Sequence, residues 1–368
     1  MLSFQDQAST RGRTPQLDGV RGIAIFLVLL WHYIPRAALH PPPGSLGAYA
    51  LKLLDLSWSG VDLFFVLSGY LIGGLLLDHV HNPSGFRVFY TRRFFRIVPL
   101  YLLLLVAGLA SAPDNILPLA YYLTFTQNIW MAVNATVDVY YSVTWSLAVE
   151  EQFYLALPVL IWLLPRTWLA GVLSLLVVAA PIFRVISFSF NPVASHILFP
   201  CRMDALLCGV LCAYAVRQEK IRQWLSRNTI TLYGMLAILL IWPALAILKG
   251  WGLGTYEMQS FGLTLLAFTY ACFMLIAIAE KTGPITWLTS LPLLRRLGLL
   301  AYCIYLIHLF VFDFLFRVVA GPNLVLVGVP ILVVCLAEVS WRFFERPLIS
   351  FGHRWRYSGK LTSPELGL

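Results

Sequence analysis

The chain contains 368 residues, of which 60% are hydrophobic and only 12% are charged. A soluble protein usually carries about 25% charged residues, and one soluble domain of this length could not bury so much apolar surface. The same composition excludes disordered chains, collagen and small disulfide scaffolds. Because the apolar stretches are continuous and do not alternate, a transmembrane β-barrel is also disfavoured. We therefore predict an all-α polytopic membrane protein.

Apolar segments long enough to cross a bilayer, for which about 20 residues are needed, recur along the chain. Prolines and glycines separate them. The ten predicted spans are approximately 19–36, 59–78, 94–111, 144–164, 168–189, 195–217, 229–248, 260–280, 297–317 and 324–343. The segment 112–143 is predicted to be an interfacial or re-entrant loop, and the number of spans becomes eleven if residues 116–132 insert fully.

The formal net charge is +9, but the basic residues stand in short clusters between the apolar segments. Most of the 26 lysines and arginines fall on one side if both termini are cytoplasmic, which is the pattern of the positive-inside rule. No nucleic-acid partner is therefore predicted. We expect one integral membrane domain over 1–368, with a core at 17–347 and short cytoplasmic tails at 1–16 and 348–368.

The six cysteines lie almost entirely in apolar stretches. Cys208 and Cys212 are four residues apart on one predicted helix, and no CxxC pair is present. Small buried apolar side chains explain this usage, so neither a metal site nor a structural disulfide is predicted.

Ionisable side chains in the first predicted span are candidates for function, because charge at membrane depth is costly. Arg21 and His32 are eleven residues apart in LDGVRGIAIFLVLLWH, on nearly the same helix face and roughly 16 Å apart along the axis. One could bind an anion while the other handles a proton. Asp18 precedes them by one turn. An interfacial arginine and a histidine satisfied by a backbone carbonyl explain the pair equally well.

The second span, in SGVDLFFVLSGYLIGG, carries Asp62 near its predicted outer end and Ser68 deeper. Close helix packing accounts for the glycines. A buried Asp62 needs a partner, and Arg202 in CRMDALLCG is the candidate.

Two adjacent carboxylates, Glu150 and Glu151, lie in TWSLAVEEQFYLALP with Tyr154. Neighbouring residues point about 100° apart on a helix, so one could act on protons while the other pairs with an arginine. An ion pair that joins two helices is the structural alternative.

Basic residues cluster at the predicted cytoplasmic entrance of the third span, in FYTRRFFRIVPLY. Arg92 and Arg96 share a helix face, with Arg93 beside them, and arginines bind phosphates bidentately. Ordinary positive-inside charge is the alternative explanation.

Together these motifs resemble the acyltransferase-3 family of integral membrane O-acyltransferases. The similarity extends from Leu17 to Pro347 and rests on LDGVRGIAI with His32, GVDLFFVLSGYLI, FYTRRFFRIVPLY, WSLAVEEQFY, RMDALLCG and YCIYLIHLFV. The resemblance implies an acyl-CoA donor at the cytoplasmic face and a hydroxyl acceptor reached from the membrane or the outer side. It marks Arg21 and His32 as the pair most closely tied to activity. A bacterial inner membrane is the expected location, and the C-terminal hydrolase-like domain of some relatives is not expected here.

Given this resemblance, we hypothesise direct transfer with His32 as general base on the acceptor hydroxyl. Glu150 or Asp62 would orient the imidazole. The other candidates are assigned to substrate binding, namely Arg21, Arg92, Arg93 and Arg96 for the CoA phosphates, Arg202 for an oxyanion or an acceptor anion, and Asp18, Glu151, Ser68 and Tyr154 nearby.

Several alternatives stay open on the sequence alone. An acyl-enzyme could form on Ser68 or His32, and the buried ionisable groups could instead serve a proton-coupled transporter or flippase. The acceptor is a sugar, glycan or glycolipid, or a small natural product. Acetyl is the default acyl group, acetyl-CoA is a substrate and no permanently bound cofactor is expected. The oligomeric state is undetermined.

Overall fold

The computed structural model of the chain describes residues 14–34, 42, 45–111, 117–137, 141–318 and 322–357. Within these ranges the regular structure is helical and contains no strand. The first helices are α1 (Pro15–Tyr33), α2 (Leu46–Leu53), α3 (Gly60–His79), α4 (Gly85–Ser111), α5 (Leu119–Leu123), α6 (Gln127–Val133), α7 (Trp145–Leu163), α8 (Arg166–Phe190) and α9 (Pro192–Ile197). The remaining helices are α10 (Phe199–Val216), α11 (Glu219–Arg227), α12 (Thr229–Leu239), α13 (Ile241–Lys249), α14 (Leu263–Ala279), α15 (Pro284–Ser290), α16 (Pro292–Val318), α17 (Pro322–Ser340) and α18 (Arg346–Gly352).

Eight helical segments in the described ranges are long and apolar enough to cross a membrane. They are Leu51–His79, Gly85–Ala110, Ser142–Leu163, Arg166–Phe190, Pro192–Val216, Thr229–Lys249, Met258–Ala279 and Pro292–Leu315. Helices α1 and α17 overlap the first and last predicted spans, with bounds shifted by a few residues. The predicted class, an all-α polytopic membrane protein, is confirmed, while the count of ten and the cytoplasmic termini stay predictions.

The structure refines three of the predicted segments. Helix α4 begins at Gly85, well before residue 94, so its basic residues lie within the helix. The predicted span 229–248 is interrupted at Leu240, close to Pro243, which cannot donate a helical hydrogen bond. The described part of 112–143 forms the short helices α5 and α6, neither of which is long enough to cross a bilayer.

Helices α1 and α16 run parallel at backbone contact. A Cβ atom at Gly22 would lie 1.9 Å from the carbonyl oxygen of Leu294, so only glycine permits this approach. Further along the same pair, the rings of His32 and His308 meet. The contact therefore determines which residues of the two helices face each other.

Helices α3 and α10 pack in the same way. A Cβ atom at Gly209 would lie 2.0 Å from the carbonyl oxygen of Val66. This approach brings Asp62 on α3 to Arg202 on α10, with 2.6 Å between Oδ1 and Nη2. The predicted partnership of these two residues is confirmed, and both are almost completely buried.

Candidate active site

A cavity of about 280 Å³ lies between α3, α4, α7 and α16, with α1 at one side. Its wall is mostly apolar. The polar side chains that line it are those of Arg21, Ser68, Arg93, Arg96, Ser146, Glu150, Tyr154, Tyr302 and Tyr305. We call it the large cavity.

Three arginines and one carboxylate contribute the charge of the large cavity. Arg21 donates from Nη1 to Asp18 Oδ1 at 3.0 Å, so Asp18 acts as its ion-pair partner. Arg93 Nε has no hydrogen-bond partner among the described residues, and its guanidinium lies 6.0 Å from the ring centre of Tyr154. The wall thus presents an excess of positive charge and a guanidinium donor available for an anionic ligand.

A chain of hydrogen bonds crosses the wall of the large cavity from α3 to α7. The hydroxyls of Ser68 and Tyr154 are 2.6 Å apart, and Tyr154 donates to Glu150 Oε2 at 3.0 Å. Glu151, the neighbouring carboxylate, does not line this cavity, and its Oε1 has no hydrogen-bond partner among the described residues. Only the first of the two predicted carboxylates therefore faces the cavity.

A second pocket of about 70 Å³ adjoins the first, and we call it the small pocket. It is lined by Val28, Trp31, His32, Trp58, Val61, Val143, Trp145, His196, Arg202, Leu253 and Tyr305. Two imidazoles, one guanidinium and three indoles thus surround a space with about a quarter of the volume of the large cavity.

The tautomer of His32 follows from its hydrogen bond. Nδ1 lies 2.9 Å from the carbonyl oxygen of Val28, which can only accept, so Nδ1 carries the proton. In the neutral ring Nε2 then holds the lone pair that a general base needs. The predicted alternative of a histidine bonded to a backbone carbonyl is correct, and the same bond fixes which ring nitrogen carries the proton.

Val61 and Tyr305 line both cavities and so form a partition between them. The Tyr305 hydroxyl donates to the carbonyl oxygen of Val143 at 2.7 Å and lies 2.5 Å from Ser146 Oγ. Val143 lines the small pocket and Ser146 the large cavity. Tyr305 is therefore hydrogen-bonded at the boundary, with His32 on one side and Glu150 on the other.

Three predicted site residues do not lie beside the groups that their hypothesised roles involve, although Asp62 has its expected partner Arg202. Asp62 is bound to Arg202. Glu150 lines the large cavity, whereas His32 lines the small pocket. The structure therefore shows neither carboxylate orienting the His32 imidazole. Arg92 does not line the large cavity, because its Nε and Nη2 donate to the carbonyl oxygen of Trp355 at 3.2 and 2.9 Å. Arg92 thus holds the segment after α18 against α4.

Sequence reasoning missed the contributions of His196, Trp58 and Trp145 to the small pocket. His196 stacks at a tilt on Trp145, with 4.8 Å between ring centres. The only available signal was a histidine inside a predicted span, six residues before Arg202. Tryptophans near span ends are too common in membrane proteins to indicate a site.

Comparison with known proteins gives one family and several bacterial relatives. The family profile described as an acyltransferase domain, Acyl_transf_3, matches residues 14–340. A provisionally named O-acetyltransferase of Staphylococcus aureus strain MRSA252 is 26% identical over 94% of this chain and 59% of its own length. O-acetyltransferase OatA of S. aureus strain NCTC 8325 is 26% identical over 92% of this chain and 58% of its own. The chain thus spans about three fifths of the length of these relatives. No solved structure matches the chain.

Proposed function

Because the chain belongs to the acyltransferase-3 family and is an integral membrane acyltransferase, we propose that it transfers an acetyl group from acetyl-CoA to a hydroxyl group of a sugar, glycan or glycolipid. The observation that carries this proposal is the adjacency of two unlike cavities. One is large and lined by arginines, and the other is small and contains His32. A bacterial cell membrane is the location that the bacterial relatives support.

The large cavity is the proposed site of the donor. Arg93 and Arg96 are the best placed of the basic cluster for the phosphates of CoA, and Arg21 lies on the same wall. Phe64, Leu67 and other apolar residues provide a surface for the uncharged pantetheine arm. The thioester then approaches the partition formed by Val61 and Tyr305.

His32 is the proposed general base. Its Nε2 would accept the proton of the acceptor hydroxyl as the oxygen attacks the thioester carbon, and the imidazolium would return this proton to the departing thiolate of CoA. Of the carboxylates first considered for orienting the ring, none is required, since the Val28 carbonyl already holds Nδ1. His308, whose ring centre is 4.9 Å from that of His32, supports the ring from the side.

Direct attack fits the geometry better than an acyl-enzyme on Ser68. A serine nucleophile needs a base within hydrogen-bond reach. The Ser68 hydroxyl is bonded to the Tyr154 hydroxyl, and it lines the large cavity while His32 lines the small pocket. Rapid quenching with labelled acetyl-CoA should therefore give labelled product and no labelled protein.

The test of the function is acceptor-dependent release of CoA thiol. Purified protein in lipid nanodiscs is given radiolabelled acetyl-CoA and a panel of mono- and oligosaccharides, and both thiol and labelled sugar are measured. His32→Ala should abolish transfer, whereas His81→Ala should not, because His81 is exposed in the turn between α3 and α4. Full activity of His32→Ala would overturn the role of this base. Sugar movement into proteoliposomes without thiol release would favour the transporter alternative.

A further inference from the structure

Arg202 is an arginine with unused hydrogen-bonding capacity inside the small pocket. Its side chain is 1% exposed, and Nη2 donates to Asp62. Nε and Nη1 are buried and have no hydrogen-bond partner among the described residues. Buried N–H groups without hydrogen-bond acceptors destabilise a fold. Their presence here suggests that a ligand accepts hydrogen bonds from them during catalysis.

Arg184 shows what a purely structural buried arginine looks like in the same protein. It is also fully buried and pairs with Asp204 at 2.8 Å. Its three nitrogens donate to Gln259 and Cys201 backbone carbonyls, to Asp204 and to Thr264. It does not line either cavity. The free donors are therefore a property of the arginine that faces the pocket.

His196 adds a second donor on the same pocket. Its Nδ1 is buried and, within the part of the chain that the structure describes, has no hydrogen-bond partner. The ring is held against Trp145, and the Arg202 guanidinium lies 5.8 Å from the centre of that indole. With the proton on Nδ1, the imidazole, like the guanidinium, has a hydrogen-bond donor to offer a ligand in this pocket.

We propose that Arg202 and His196 form the oxyanion site of the transferase, in the pocket that the base His32 also lines. This inference rests on the proposed function. As the acceptor oxygen bonds to the thioester carbon, its proton passes to His32 Nε2 and the carbonyl electron pair moves onto the carbonyl oxygen. Arg202 and His196 donate to that oxygen. When this electron pair re-forms the carbonyl double bond, the carbon–sulfur bond breaks. CoA then leaves as the thiol, with the proton from His32.

The size and charge of the pocket favour a transient oxyanion over a permanently bound anion. At about 70 Å³ the small pocket has a quarter of the volume of the large cavity, which suits a reacting carbonyl group better than a bulky anion. Asp62 already neutralises Arg202, so a full second negative charge would be poorly compensated. A negative charge that develops only in the transition state is stabilised by the unpaired donors. It avoids the cost of keeping a second buried negative charge in the ground state.

The test removes the charge pair as a unit, because a lone Asp62 would be left as an uncompensated buried charge. Arg202→Gln/Asp62→Asn should lower kcat on the order of 10²–10³-fold, with little change in KM for acetyl-CoA or for the sugar. The matched control is Arg184→Gln/Asp204→Asn, which removes a buried pair of the same kind outside the cavities. It should reduce thermal stability and leave kcat close to that of the wild type.

A second variant tests the other donor and keeps the proposal falsifiable if the double variant does not fold. His196→Phe retains a ring against Trp145 and should lower kcat about tenfold at unchanged KM. A rise in KM for the sugar at unchanged kcat, in either variant, would mean a ground-state binding site and would overturn the oxyanion role. Unchanged kinetics would overturn it as well. Absence of transfer by the wild-type protein would instead refute the proposed function.

Discussion

The rings of His32 and His308 meet edge to face, with 4.9 Å between their centres. Each ring is held by its Nδ1, which bonds to the carbonyl of Val28 in one case and of Tyr305 in the other, at 2.9 and 2.7 Å. The two nitrogen atoms that face away from the backbone therefore both carry lone pairs when the rings are neutral. The orientation of the proposed base depends on a neighbour that is itself fixed to its helix.

Removing the neighbouring ring should misplace the base. His308→Ala is expected to lower kcat by roughly 10- to 100-fold at similar KM, because small displacements of a catalytic group are costly. His308→Phe retains the packing and should recover most of the activity. Equal losses in the two variants would show that the second imidazole has a chemical role beyond positioning. Steady-state kinetics with acetyl-CoA make the comparison.

Weakening the partition between the two cavities should allow acetyl-CoA to be hydrolysed without transfer of the acetyl group to the sugar. Tyr305→Phe keeps the ring but loses the hydrogen bonds to Val143 and Ser146, each worth about 1 kcal/mol. We expect thiol release without acceptor to rise on the order of tenfold relative to transfer, since water can then reach the thioester. Ser146→Ala loses only one of the two bonds and should show a smaller effect. The ratio of thiol to acetylated sugar is the measurement, and an unchanged ratio would contradict a gating partition.

The basic cluster should divide into two functions. Arg93→Gln/Arg96→Gln is expected to weaken acetyl-CoA binding by about 10- to 100-fold, as befits the loss of charge-assisted hydrogen bonds, and to reduce its dependence on salt. Arg92→Gln should leave the Kd nearly unchanged and lower the thermal unfolding temperature, because its partner is the Trp355 carbonyl. Calorimetric titration in nanodiscs measures the Kd. Equal weakening in both variants would show that Arg92 also contacts the donor.

Stability should depend on pH through Glu345, which follows the last predicted span. Burial raises the pKa of this carboxyl from 4.5 to about 7, although Ser340 and Arg96 act in the opposite direction. Between these two values the folded state holds a proton that the unfolded state has released, so stability falls as pH rises from about 4.5 to 7. Glu345→Gln should flatten this part of the profile. Thermal unfolding across the pH range tests the sign.

Much of the fold and part of the site could be predicted from the sequence. Apolar length determines where helices cross the membrane, and the cost of an isolated charge correctly pointed Asp62 to Arg202. Helical periodicity placed Arg21 and His32 on one helix face, and in the structure they line adjoining cavities. These are properties of single helices, or of charges that must find a partner.

What the sequence could not provide is the assignment of faces between helices. Arg92, Arg93 and Arg96 look equivalent in a linear motif, and only the packing of α4 decides which of them meets the cavity. In the sequence, His196 is an isolated histidine in an apolar stretch. Only the structure shows that it packs against Trp145, which is distant in sequence. The partition likewise exists only because Tyr305 reaches across to another helix.

The backbone contact at Gly22 shows how an enzyme of this kind can lose its activity. The site where α1 touches α16 lies ten residues, or about 15 Å, from His32 along the helix. One added methyl group there would force the two helices apart and shift the imidazoles relative to each other. A protein carrying Gly22→Ala could keep every reacting side chain and still be inactive. The presence of the catalytic residues in a sequence therefore does not guarantee that the helices align them.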